Sequence, residues 1–283
     1  MRLPQHRPAE PFFLDGHDGT RFCLYHAPAG RCRGALLYVH PFAEEMNRSR
    51  RLAAQQARAL AAQGIGVLLI DLHGCGDSSG DFGDARWNGW KADIALGCAW
   101  LQERLGVQPG LWGARLGALL ALDYAHGAQP VPARLLLWQP VLSGTTSLTQ
   151  FLRLVLARDM LAEPVDGAGG GTQALRARLA RGETLEVAGY DLAPDMAAAL
   201  DAVDAAPLAL PGCRIDWLEV VPEAGRMPGP AAERIAAGWR AAGAELRLQA
   251  VACAPFWSAA ETVECPELLA ATGALFGGSD HAI

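Results

Sequence analysis

The chain has 283 residues, of which 51% are hydrophobic and 19% charged, and a formal charge of −6. This is the composition of a globule with a large core, built as one α/β domain or as two smaller ones. The acidic balance argues against a general nucleic-acid binder, which carries a basic face.

The opening stretch, residues 1–15, lacks the apolar core of a signal peptide. No run approaches the ~20 apolar residues that a membrane-spanning helix needs. The seven cysteines have irregular spacing and form no C-x-x-C pair. They are expected to be reduced thiols, mostly buried as small hydrophobes, in a cytoplasmic protein.

In chain order, residues 22–26 read as an antiparallel opening strand. Residues 35–39 form a short apolar run that ends in His40-Pro41. A helix over 50–63 is rich in Ala, Leu, Arg and Gln and stops before Gly64. A strand over 67–70 ends in Asp71. The helix predicted over 87–105 sets Trp90, Ile94, Ala95, Cys98 and Leu101 at helical spacing. Strand 110–112, helix 116–126 and strand 135–138 follow, then strands 215–221 and 246–252 with helices over 231–242 and 267–275. Apolar runs without alternation suit strands buried on both faces. Strand and helix alternate, so the fold class is α/β, with a mainly parallel sheet covered by helices on both sides.

Residues 144–211 break this rhythm. They hold helical patterns over 148–161 and 196–205 and the flexible tract Gly167-Ala168-Gly169-Gly170-Gly171. An insertion of this length exceeds a plain connection. It reads as a cap over the carboxyl edge of the sheet, where open α/β folds bind ligands. Residues 1–143 and 212–283 then form the core.

The strongest local signal is Leu111-Trp112-Gly113-Ala114-Arg115-Leu116-Gly117-Ala118-Leu119, a strand that passes through G-x-R-x-G directly into an apolar helix. This is the context of a nucleophile elbow, whose central residue sits on a strained turn and whose glycines allow close backbone approach. Two loops precede it: His40-Pro41-Phe42, and Asp71-Leu72-His73-Gly74-Cys75-Gly76-Asp77-Ser78-Ser79-Gly80. Together these motifs resemble the signatures of the α/β-hydrolase superfamily, a likeness that runs over about residues 21–275. His40 through Asn47, the arginine elbow, Gly189-Tyr190 and Pro255-Phe256-Trp257 resemble the type 2 exosortase A system-associated hydrolases. Those occur in bacteria that sort proteins and make extracellular polysaccharide. The resemblance implies the α/β-hydrolase fold, an esterase- or thioesterase-like ancestry, and exosortase-system or exopolysaccharide proteins as partners.

The same resemblance exposes two departures. A working member needs a Ser, Cys or Asp nucleophile at the elbow, an acid after a later strand and a histidine after the last strand. Arg115 occupies the elbow and stays protonated, so it is neither nucleophile nor base. The last loop, Cys253-Ala254-Pro255-Phe256-Trp257-Ser258, has no histidine, and His281 comes beyond the final helix. Glu219 or Glu223 could fill the acid position, but an acid alone has nothing to orient. Losing both nucleophile and base removes about 10⁶ in turnover.

Arg115 at the positive end of a helix, beside the former oxyanion-hole amides, makes a receptor for a carboxylate or phosphate. Alternatively, Glu44, Glu45, Asp71 or Glu223 neutralises it internally, because buried charges need partners. The expected ligand contacts are Arg115, His40, Phe42, Leu116 and Trp257, around a small anionic or acyl-type molecule. A rearranged hydrolase is the competing reading, with catalytic candidates His40, Asp71, Cys75 and Glu223. Against it, His40 could simply shape the Pro41 turn, Asp71 and Asp77 could cap their loop, and Cys75 has no visible basic partner. No metal-ligand spacing or phosphate-binding loop appears and a dinucleotide fingerprint is not convincing, so no cofactor is expected.

Overall fold

The computed structural model describes residues 8–161, 171–259, 261 and 263–277. Residues 1–7, Gly167 to Gly170 of the glycine-rich tract, and His281 lie outside that set. An eight-stranded sheet is built from β1 (Glu10–Gly16), β2 (Gly19–His26), β3 (Gly34–Val39), β4 (Ile65–Ile70), β5 (Gly110–Ala114), β6 (Arg134–Trp138), β9 (Arg214–Val221) and β10 (Glu245–Ala252). The helices are α1 (Glu44–Ala62), α2 (Trp87–Leu105), α3 (Leu116–Gly127), α4 (Gly144–Leu161), α5 (Gly171–Ala180), α6 (Pro194–Ala202), α7 (Pro230–Ala241) and α8 (Pro266–Ala274). A small hairpin, β7 (Leu185–Val187) with β8 (Tyr190–Leu192), stands apart.

The strand order is β1-β2-β4-β3-β5-β6-β9-β10. The pairs β1–β2 and β2–β4 are antiparallel and the remainder parallel. Side chains alternate across the sheet, as the pleat requires. Leu37 and Val39 of β3 join one core with Ile94 of α2 and Leu119 of α3, while Leu36 and Tyr38 join the other with Leu60 of α1 and Leu268 of α8. This is the α/β-hydrolase fold. β3 lies between β4 and β5, so chain order reverses there and a crevice opens at the carboxyl ends of β3 and β5.

Several elements differ from the sequence reading. β1 had no assignment; its inward-facing Phe12 stacks on Trp100 with centroids 4.6 Å apart. Helix α1 starts at Glu44, six residues before the expected start at residue 50, because Ala43 (φ 48°) turns the chain sharply out of β3. Glu44 and Glu45 in its first turn complement the helix dipole. Helices α4, α5 and α6 and the β7–β8 hairpin all fall between β6 and β9, within the expected insertion.

One expectation is corrected. Cys253 and Cys265 are joined rather than both reduced, their Cα atoms 5.6 Å apart; α8 folds back across β10 and brings the strand end to the helix start. Cys23, Cys32, Cys75, Cys98 and Cys213 are free.

At the amino end of β6, Arg134 and Asp216 form an ion pair at 2.8 Å with side chains only 3% and 1% exposed. Arg134 also donates to the Leu275 carbonyl at 3.0 Å and lies 3.8 Å from the Phe276 ring centroid. Asp216 also meets the part-exposed Arg214 at 3.3 Å, so it is loss of Asp216, not of Arg134, that strands a buried charge. Asp216→Leu is therefore expected to cost about 3–5 kcal/mol in urea unfolding. The double variant Arg134→Met/Asp216→Leu should recover most of that loss, and equal losses in both proteins would refute this account.

Candidate functional site

The site begins with a backbone constraint. Arg115 adopts φ 54°, ψ −122° between β5 and α3, a region that side-chain-bearing residues rarely occupy. Its N–H donates to the Trp138 carbonyl at 3.0 Å, and its carbonyl accepts from Val141 N–H at 3.1 Å. A Cβ at Gly113 would run into the Ala118 backbone, and one at Gly117 into the carbonyls of Val39 and His40. Both glycines are thus demanded by the close approach of α3 to β5 and β3. The turn drives the Arg115 side chain into the crevice, where it is 14% exposed.

Glu45 is the internal partner. Arg115 Nε lies 3.2 Å from Glu45 Oε2, and Nη2 lies 3.2 Å from Oε1. Of the four acids considered as partners, Glu44 instead pairs with Arg48, Asp71 with Arg50 and Glu223 with Arg226. Burial pushes the Glu45 carboxyl upward, and the Arg115 charge and hydrogen bonds pull it back down. On its other side the guanidinium lies 4.5 Å from the Trp257 ring centroid, within cation–π range. Trp257 therefore occupies the loop after the last strand, against the elbow residue.

Arg115 borders two cavities. One, of about 270 Å³, is lined by Phe42, Glu45, Arg115, Phe151, Leu154 and Trp257 among others, and is mainly apolar. The other, of about 770 Å³, includes Arg115, Gln139 and Glu219. Glu219 accepts from Trp217 Nε1 at 2.8 Å and Gln139 Nε2 at 3.4 Å. Burial raises its carboxyl, against the pull of those hydrogen bonds and of Arg115. Gln139 (φ 43°) also braces β6 to β9 by accepting from Val220 N–H at 2.6 Å.

The structure thus brings Arg115, Phe42 and Trp257 together around the smaller cavity. The Leu116 side chain is buried in the core, and only its position at the start of α3 associates it with the site. His40, Asp71 and Cys75 sit elsewhere: Asp71 and Cys75 in the braced loop after β4, and His40 in the turn after β3, packed against that loop. His40 is 5% exposed; its Nδ1 lies 2.7 Å from the Pro41 carbonyl, and its Nε2 accepts from Leu72 N–H at 3.3 Å. Desolvation holds its imidazole below the ordinary range, so the neutral Nδ1–H form satisfies both contacts.

Asp71 accepts from Arg50 at 2.8 Å and from Asp77 N–H at 3.1 Å, tying the glycine-rich loop to α1. Burial pushes the Cys75 thiol up to about 12, which suppresses the thiolate that nucleophilic attack requires. None of these three lines either cavity. Glu223 is exposed and stands apart from both. Missing from the sequence reading were Arg48, Phe151 and Gln139. Ser147, Gln150, Phe151 and Leu154 follow an i, i+3, i+4, i+7 pattern on α4, a signal that marks one helix face without saying what it meets.

The Arg115–Glu45 pair makes a pH-dependent prediction. Without the cation, the Glu45 carboxyl rises further above its unfolded value. Stability is then unaffected by this group when it is protonated in both states, and is lost as pH rises through the folded-state pKa. Arg115→Met should lose about 1.5–3 kcal/mol more at pH 8 than at pH 4.5, measured by chemical denaturation. An equal loss at both pH values would show that the ion pair is not responsible.

No curated protein sequence matches the chain. Among solved structures, Est1E from Butyrivibrio proteoclasticus, bound to ferulic acid, is 12% identical over 93% of this chain and 97% of its own, with a TM-score of 0.63. A soluble variant of monoglyceride lipase from Saccharomyces cerevisiae is 15% identical over 88% of each chain, with a TM-score of 0.56. At these identities the likeness is one of fold. The family model described as serine aminopeptidase, S33, matches residues 30–234, well over half of the chain and including all three signature loops, and the protein belongs to that α/β-hydrolase family.

Proposed function

We propose that this protein is a non-hydrolysing, ligand-binding member of the α/β-hydrolase family, whose smaller cavity takes a small acyl-type molecule with its carboxylate at Arg115. The observation that carries the reading is the replacement of chemistry by charge at the elbow. A guanidinium stands at the nucleophile's position, with Trp257 rather than a histidine against it. Neither group can accept a proton and attack a carbonyl, so the usual two-step acyl transfer has no nucleophile and no base. Guanidinium and helix N-terminus together attract an anion, while Phe42, Phe151 and Leu154 offer an apolar wall to its chain.

Glu45 competes for the same cation, so a ligand carboxylate has to displace it or meet it protonated. Residues 144–211 act as the cap in this reading, with α4 closing the cavity over the sheet edge. The resemblance of His40 through Asn47 and Pro255-Phe256-Trp257 to exosortase-associated hydrolases supports a cytoplasmic accessory role beside exosortase-system or exopolysaccharide proteins. Among the described residues no helix is long and apolar enough to cross a membrane.

Two measurements test the proposal. A fluorophosphonate probe and a panel of p-nitrophenyl esters and thioesters should give no adduct and no saturable turnover above buffer. Turnover abolished by a single cavity substitution would overturn it. Calorimetric titration with octanoate should show binding that tightens as pH falls from 8 towards 5.5, because burial raises the Glu45 carboxyl and its protonation frees Arg115. Arg115→Ala should weaken that binding at least tenfold at pH 5.5.

A further inference from the structure

We propose that Cys253 and Cys265 form a reversible thiol–disulfide site, and that its state sets whether Trp257 stays stacked on Arg115. The pair closes the one loop that brings the last strand to the elbow. Cys253 directly follows β10 and extends its ladder, its N–H donating to the Val221 carbonyl at 2.9 Å. Cys265 is the residue from which α8 begins. Both anchors are held in the second core, 8% and 1% exposed, and their Cα separation of 5.6 Å lies within the span a disulfide bridges.

The described residues between the anchors are neither strand nor helix. Phe256 is buried against Trp138 and Trp257, with centroids 6.1 and 5.1 Å apart. Beyond it, among the described residues, contacts of a weaker kind hold the loop to the site. Trp257 stacks on Arg115, Arg48 Nη1 donates to the Ser258 carbonyl at 3.0 Å and to that of Ala259, and Arg51 pairs with Glu264 at 2.6 Å. The Arg51–Glu264 pair is more than half exposed, where ion pairs contribute little. The covalent link is therefore the strongest constraint on the loop, and Trp257 lies within its span. Releasing the link leaves the two anchors and Phe256 in the core, but beyond Phe256 the described part of the loop keeps only the Trp257 ring and a few partly exposed contacts.

The other thiols do not compete for this role. Burial pushes Cys23, Cys75, Cys98 and Cys213 up to about 12, and each of them and Cys32 is free. The exchange balances with a small dithiol as co-reactant. Its thiolate attacks one sulfur of the pair and breaks the S–S bond. The resulting mixed disulfide is then cleared by the reagent's second thiolate. The protein gains two electrons and two protons, and the reagent leaves as its cyclic disulfide. A reducing compartment holds the site open, and disulfide stress closes it. Because both sulfurs are buried, exchange awaits opening of the loop.

The test uses the full chain labelled with 5-fluorotryptophan, the Trp257 resonance being identified by its loss in Trp257→Phe. After equilibration with oxidised glutathione, alkylation in denaturant should modify five cysteines, and after dithiothreitol all seven. The Trp257 fluorine resonance should move and sharpen on reduction. In Cys253→Ser/Cys265→Ser it should sit at the reduced position under both conditions, while Cys32→Ser keeps the full response. Seven alkylated cysteines after oxidation, or a Trp257 resonance indifferent to reduction, would overturn the proposal.

The consequence for ligand affinity rests on the reading of the cavity as a binding site, so octanoate titration is a separate arm. A redox-dependent resonance with no octanoate binding in either state leaves the thiol site standing and removes the ligand reading. Octanoate binding that changes several-fold on reduction supports both.

Discussion

The close approach of α3 to β5 and β3 organises this molecule. Backbone meets backbone at Gly113 and Gly117 with no room for a side chain, and the chain reverses direction at Arg115 through a left-handed conformation. Such a turn is costly, and it persists because β6 and the loop after it hold it through the Trp138 carbonyl and the Val141 N–H. It fixes where the side chain of residue 115 points, whatever that side chain is. In this chain the turn displays a guanidinium, in the crevice where strand order reverses.

A cation forced into such a place requires compensation, and the surroundings supply it from elements distant in sequence. Glu45 reaches it from the first turn of α1, and the Trp257 face covers it from the loop after β10. Glu219 adds longer-range charge across the larger cavity. The glycine-rich loop after β4, which in sequence resembles part of an active site, is instead self-contained. Asp71, Arg50 and Ser78 satisfy one another there, His40 from the turn after β3 accepts from the Leu72 N–H, and Asp93 joins the loop to Arg21. Its polar residues stabilise the turn and leave little for chemistry.

How much was legible in advance follows from the range of each interaction. Elbow, preceding loops and sheet core were readable because they are local: a buried strand is a short apolar run, and the elbow glycines sit at fixed offsets from one another. The edge strand β1 was missed because pairing with β2, rather than burial on both faces, makes it a strand. The early start of α1 was missed because Ala43 bears no sequence mark of its positive φ. The cysteine pair was missed because irregular spacing carries no sign of spatial contact.

The amino-acid sequence by itself determined that this is an α/β-hydrolase fold with arginine at the elbow and no histidine over residues 253–258. Those are facts of identity and local spacing. Tertiary structure decided which of four acids meets Arg115, that Trp257 stacks on it, and that His40, Asp71 and Cys75 brace a loop away from the cavities. Each of those outcomes depends on the relative placement of side chains tens to hundreds of residues apart. Local spacing carries no information about that placement, and only packing of the helices on the sheet resolves it.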